Sequence, residues 1–241
     1  MAISVDTTYK TVLSILNKES RGFLTPDEFS KIGSQVQLDI LEKNFYDYNR
    51  AVVKSNLNRA VSEYGDIPKN IKEKIDAFAK EASLSISNGV VAAPSDLYKI
   101  INISTTNRTI NLDEISKSKL SYVNSSKLTA PTTSFPVYYK EADNIKVFPT
   151  TISSATIDYI KMPADPVWAY ETDDNGALTY SESTGSNVTP TTGKVDFTLH
   201  VSDRVSLILG ILKYAGVVIS DPQIVQAASA EANSQIQLEN L

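Results

Sequence analysis

The chain of 241 residues contains no cysteine, a single histidine, a single tryptophan and two methionines. The missing thiols exclude a disulfide framework, thiolate metal ligation and a cysteine nucleophile. One histidine, His200, excludes a histidine-paired metal site and leaves only one candidate for a serine–histidine–aspartate triad. His200 sits in TLHVSD beside a helix start with no nucleophile elbow, so a structural or surface role is expected. The nine glycines are scattered, and none falls into G-x-G-x-x-G or G-x-x-x-x-G-K. The longest apolar run, VSLILGIL from Val205, stops at Lys213, too short to cross a bilayer. The opening MAISVDTTYK shows neither a charged n-region nor an apolar h-region, so no signal peptide is expected.

Basic excess is also missing. Net charge is −5, with 23 Lys+Arg against 28 Asp+Glu, which argues against nucleic acid as the main partner because phosphate binding needs a clustered basic face. Hydrophobic content of 41% and charged content of 21% are those of a globular chain long enough to bury a core. The Asn-x-Ser/Thr triplets at Asn102, Asn107, Asn124 and Asn187 are read as chance in a chain rich in those residues.

NKESRGFLTPDEF, residues 17 to 29, has the outline of a calcium-binding EF-hand loop, with Gly22 sixth, Leu24 eighth and Glu28 last. Arg21 at the fifth position places a cation where an oxygen ligand belongs, and Pro26 stiffens a loop that must wrap the ion. A helix start accounts for the same letters: Thr25 as N-cap, Pro26 at the first helical position and Glu28 three residues after the cap form a capping box.

Apolar spacing predicts a first helix over about 7 to 18 (Tyr9, Val12, Leu13, Leu16) and a long second helix after Gly22. The second carries Phe29, Ile32, Val36, Ile40, Leu41, Phe45, Tyr48 and Val52 as one drifting stripe. Ile71, Ile75, Phe78 and Ala82 continue the helical rhythm, so helices are expected to about residue 86. Past Asn88-Gly89, β-branched and aromatic residues predominate, and a β insertion is predicted over about 90 to 170. Leu97 to Ser104 is one strand. Val137 to Lys140 and Ile145 to Phe148 form a hairpin around a four-residue loop, Glu141 to Asn144, and Ala155 to Met162 closes a meander. Residues 171 to 196 read as a long exposed polar loop. Ser202 or Asp203 caps a helix with Val205, Ile208, Leu209 and Leu212 on one face, Leu207 and Ile211 beside them, and Gly216 as its stop. Ser220-Asp221-Pro222-Gln223 opens a last helix with Val225, Ala228, Ala232 and Ile236 on one side. The predicted fold class is α+β: a helical bundle of three N-terminal and two C-terminal helices with an inserted antiparallel β meander and a long polar loop, all one domain over 1–241.

Chemistry-bearing groups are few. Asp173-Asp174 and Asp113-Glu114 are the acid pairs that a glycosidase reading would need, and the first lies in the polar loop. Most of the twelve tyrosines fall at core periodicity or on the hairpin. Lys69, Lys72, Lys74 and Lys80 are interleaved with Glu73, Asp76 and Glu81, the pattern of a solvated face. No enzyme, no metal and no cofactor is expected.

Three stretches carry a resemblance: NKESRGFLTPDEFSKIGSQVQLDILEKNFYDYNR, FPVYYKEADNIKVFPTTISSATIDYIKMPADPVWAY and DRVSLILGILKYAGVVISDPQIVQAASAEANSQIQ, together most of the chain. They resemble the N-terminal helices, β region and terminal helical pair of head–tail connector (adaptor, neck-ring) virion proteins of tailed phages, crAss-like podovirus type. The resemblance implies a structural protein made in the host cytoplasm and resident in the virion neck. There it would assemble as a homo-oligomer, a dodecamer beneath the portal protein, meet further neck or tail ring proteins, let DNA pass through the lumen, and touch no membrane. No functional residue is carried over from that family. Ile236, Leu238 and Leu241 are the expected contacts with the portal or a neighbouring subunit, being apolar with little chain left to cover them. The competing expectations are another tail or neck component, or a monomeric module that binds a ligand with loop 171–194.

Overall fold

A computed structural model describes residues 2–18, 24–58, 67–172, 178–181, 188–189 and 193–218, together with a few positions between 226 and 234. The fold is α+β, with helices in the N- and C-terminal regions and strands between them. By internal contacts the chain forms two compact units, one from residues 1–77 with 163–241 and the other from 78–162.

In the helical unit, α1 (Val5–Lys18) begins where the Ser4 side chain accepts the Thr7 N–H at 3.4 Å and Asp196 accepts the Val5 N–H at 2.9 Å. The long helix α2 (Pro26–Asn58) starts at the predicted capping box: Glu28 accepts the Thr25 N–H at 2.9 Å and Thr25 Oγ1 accepts the Glu28 N–H at 3.3 Å. Each group satisfies a backbone donor that the first helical turn leaves without an intrahelical acceptor. Of the EF-hand outline, residues 19 to 23, Gly22 included, lie outside the described residues.

The buried stripe of α2 runs Phe29, Val36, Ile40 and Leu41, with Gln37 and Asn44 also buried, while Ile32, Phe45, Tyr48 and Val52 are half-buried. Phe29 anchors an aromatic cluster, its ring centroid 4.8 Å from Tyr9 and 6.1 Å from Phe197, with Trp168 4.6 Å from Tyr9. Full burial of a side chain such as Phe29 stabilises by about 1.5–3 kcal/mol. The cluster's polar atoms are also satisfied, since Tyr9 Oη donates to the Leu24 carbonyl and Trp168 Nε1 to Asp6.

The third helix, α3 (Ile67–Asp76), ends ten residues before the expected limit of about 86, and β1 (Ala79–Ser85) occupies the remainder. Phe78 and Ala82 satisfy a helical period, but Ala82, Leu84 and Ile86 also alternate at period two. Pairing decided it: Ala82 faces Ile157 in an antiparallel ladder.

The strand unit holds two sheets. The first is ordered β1, β7 (Ser154–Lys161), β3 (Leu97–Thr105), all antiparallel. The second is ordered β2 (Val90–Ala92), β6 (Asn144–Phe148), β5 (Val137–Glu141), β4 (Asp113–Glu114), with β4 parallel to β5. The inserted strand region is therefore present, but the strand expected to close the meander beside the hairpin pairs instead with β1 and β3. Central position explains its sequence, because β7 is buried at Ala155, Thr156, Ile157, Tyr159 and Ile160. Residues of both sheets, among them Leu84, Ile103, Ile145, Val147 and Ile157, form one hydrophobic cluster.

The β5–β6 turn is also tighter than the predicted four-residue loop. Glu141 pairs with Asn144, leaving only Ala142-Asp143 between the strands, with Ala142 at φ +50°. Asn88-Gly89 forms a second tight turn, with φ of +51° and +74° and reciprocal hydrogen bonds between Ser87 and Val90.

Within the stretch expected as a long loop, β8 (Tyr170–Thr172), β9 (Leu178–Tyr180) and β10 (Val188–Thr189) form a small antiparallel sheet ordered β10-β8-β9. The chain then returns through a 3₁₀ turn, Val201–Asp203, into the last fully described helix, α5 (Arg204–Val218). Its buried apolar side chains are Leu207, Ile211, Leu212 and Ala215, whereas Val205, expected on the buried face, is exposed. The helix continues through Gly216 to Val218. Gln226, Ser229, Ala230, Glu231, Asn233 and Ser234 are helical, as expected for a last helix, while its capping box at 220–223, together with Val225, Ala228 and Ala232, lies outside the described residues.

Candidate interaction surfaces

The apolar C-terminal residues expected at an interface, Ile236, Leu238 and Leu241, lie outside the described residues, as do Asp173 and Asp174. The other candidates are placed. His200 precedes the 3₁₀ turn, where its Nδ1 accepts the Ser202 N–H at 3.3 Å and lies 2.8 Å from Ser202 Oγ. That is a capping role. Asp113 and Glu114 are consecutive exposed residues of β4, so their side chains leave opposite faces of the strand and do not converge on one substrate atom.

The lysines expected on a solvated helix face divide differently. Lys74 is on α3, but its Nζ lies 2.9 Å from Asp203, a carboxylate only 4% exposed. Lys80 is on strand β1, 2.8 Å from Asp96. Hydrogen bonds from Lys80 and from Tyr159 Oη hold the Asp96 carboxyl below the usual carboxylate range, and burial pushes the Tyr159 phenol up. At the β5–β6 turn, Glu141 is gripped by Lys117 and Lys146, and their hydrogen bonds bring its pKa down to about 2. Arg108 reaches Glu81 on β1 at 2.7 Å and Asp158 on β7 at 3.0 Å, tying the turn after β3 to the other two strands of its sheet.

Every one of these carboxylates faces a cation that neutralises it, and none is paired with a nucleophile or a free base. Such pairs bridge neighbouring elements of the fold. Among the described residues no group of three His, Asp or Glu side chains is arranged to hold a metal ion. A depression lined by Asp6, Lys10, Thr11 and Ile15 along α1 is shallow and open, and its charge pair, Lys10 with Asp6, is closed at 2.8 Å. Among the described residues no helix is long and apolar enough to cross a membrane.

Apolar exposure is the more informative feature. On the helical unit Tyr46 and Val53 stand out of α2, and Val201, Val205 and Tyr214 lie on and before α5. On the strand unit Tyr122 is 77% exposed, Leu128 94% and Phe135 77%, the three most exposed large hydrophobic side chains of those described. All three belong to the connection between β4 and β5, which includes the short helix α4 (Leu120–Ser125). Little in the sequence singles out this segment, because its apolar residues follow neither a helical nor a strand period. Their isolation among Ser, Thr and Lys is the signal that was present.

Comparison of the chain with protein-family models and with curated proteins finds no match.

Proposed function

We propose that the chain is a structural protein of the phage virion: a ring component of the neck that joins portal to tail and surrounds the DNA channel. The observation that carries the reading is the architecture. Helices from both ends of the chain gather in one unit and a strand-rich unit is inserted between them, as the resemblance implies for a neck adaptor. Three further features support it. Closed charge pairs and a capping histidine suit a scaffold rather than a catalyst. A net charge of −5 favours passage of DNA over its retention. Ring subunits meet through two different faces of the same chain, and exposed apolar side chains on both units provide material for such faces.

Native mass spectrometry of the purified protein, dilute and concentrated, with and without a candidate portal, tests the reading. A closed oligomer, a dodecamer above all, is expected, with the portal as template where the chain alone stays monomeric. A monomer in both conditions overturns it and directs attention to ligand binding by residues 171–194.

A further inference from the structure

The connection from β4 to β5 joins two adjacent parallel strands, Asp113 opposite Val137 and Glu114 opposite Tyr138. A parallel crossover of this kind ordinarily covers the sheet with the apolar face of its helix. Here it does not. Between Leu112 and Pro136 no residue is buried. The segment is nevertheless folded, through local hydrogen bonds such as Ala130 N–H to the Ser126 carbonyl at 2.9 Å and Thr129 Oγ1 to the Val123 carbonyl at 3.0 Å. Backbone order with no core of its own, carrying Tyr122, Leu128 and Phe135 in the open, is the condition of a surface that gains its apolar contacts from outside.

We infer that this β4–β5 arm docks on a second copy of the chain, and on a part of that copy other than its own arm. Charge selects the occupant. Residues 115 to 136 contain three lysines, Lys117, Lys119 and Lys127, and no acid. The whole chain carries −5, so everything outside the arm sums to −8. The rest of a second copy is thus a complementary surface for the arm, whereas two arms facing each other would oppose like charges. A nucleic acid is the poorer fit, because Lys117 already faces Glu141 and the remaining two lysines offer few phosphate contacts beside three large apolar side chains. A contact between arm and non-arm surfaces is heterologous and generates a ring when its rotation closes. The inference names the contact that would build the proposed ring, and rests on that reading.

The test uses the full chain, alone and with the portal, in three forms: wild type, Tyr122→Ser with Leu128→Ser and Phe135→Ser, and Lys119→Glu with Lys127→Glu. None of these side chains is buried, so the thermal unfolding of both variants should match wild type. Sedimentation velocity should show self-association weakened by about tenfold or more in the serine variant, as for loss of central apolar anchors. The lysine variant should associate more weakly and with a smaller salt dependence. A photo-cross-linking residue placed at Leu128 should capture another copy at a peptide outside residues 115–136. Wild-type rings that persist unchanged in the serine variant overturn the arm contact and leave the ring standing. Arm-to-arm cross-links overturn the heterologous geometry. A wild type that stays monomeric with the portal overturns both. A DNA mobility shift lost in the lysine variant while self-association is intact, or loss of portal binding alone, assigns the arm to another partner and overturns the inference.

Discussion

Lys74 of α3 holds its Nζ 2.9 Å from Oδ1 of Asp203 at the entry to α5, with Asn44 of α2 approaching Oδ2 at 3.4 Å. One carboxylate thus gathers three helices of the same unit. Asp203 is shut away from water and Lys74 is 23% exposed, so the anion depends on this partner far more than a surface acid would.

Removing the cation should therefore cost more than the pair contributes in net terms. Lys74→Ala is expected to destabilise by about 3 kcal/mol in urea unfolding, because it leaves a buried charge uncompensated. Lys74→Met with Asp203→Leu should recover most of that loss. A cost below about 1 kcal/mol for the single variant would place the pair among solvent-screened surface bridges and contradict the burial argument.

Gly210 on α5 faces Val36 on α2 so closely that an added Cβ would meet Val36 Cγ1 at 2.5 Å. Valine has little rotamer freedom in a helix, so the contact must be relieved by separating the two helices. Gly210→Ala is expected to lower stability by roughly 1–3 kcal/mol, although alanine is the better helix former by about 1 kcal/mol. In a Val36→Ala background the same substitution should become nearly neutral or stabilising. Thermal unfolding of the four proteins measures this coupling, and simple additivity would show that the helices adjust freely.

Acid should weaken the strand unit through Glu141. Hydrogen bonds from Lys117 and Lys146 lower its pKa from 4.5 to about 2 in the folded protein. The folded state then holds the proton less tightly than the unfolded chain, so the contribution is fully present above pH 4.5 and is lost as pH falls toward 2. Asp96, lowered by Lys80 and Tyr159, acts with the same sign. Unfolding followed over this acid range should show a decline that is shallower in Glu141→Gln, and a decline unaltered by that substitution would remove Glu141 from the account.

Legibility in the sequence followed the range of the interactions involved. The capping box at Thr25 and Glu28 was readable because its partners are three residues apart. The stripe of α2 was readable from its recurring three- and four-residue steps, and the strands at 97–105, 137–141 and 144–148 from their β-branched and aromatic content between turn residues. The stretch from Phe78 to Ala82 was not, since two periods fit it equally well. The Lys74–Asp203 pair was hidden too, because alternating charges along a helix say nothing of a carboxylate more than a hundred residues away.

The sequence by itself determined where helices begin, which segments favour extended backbone, and which chemistries lack their residues. Those are matters of local sterics, capping and composition. Only the tertiary structure decided that Ser154–Lys161 leaves the hairpin to lie between β1 and β3, because strand pairing is chosen by competition among distant edges for one hydrophobic core. The tertiary structure alone also revealed the bare arm between β4 and β5. Tyr122, Leu128 and Phe135 are apolar residues in any reading, and whether an apolar residue is core or contact surface depends on whether the rest of the fold covers it.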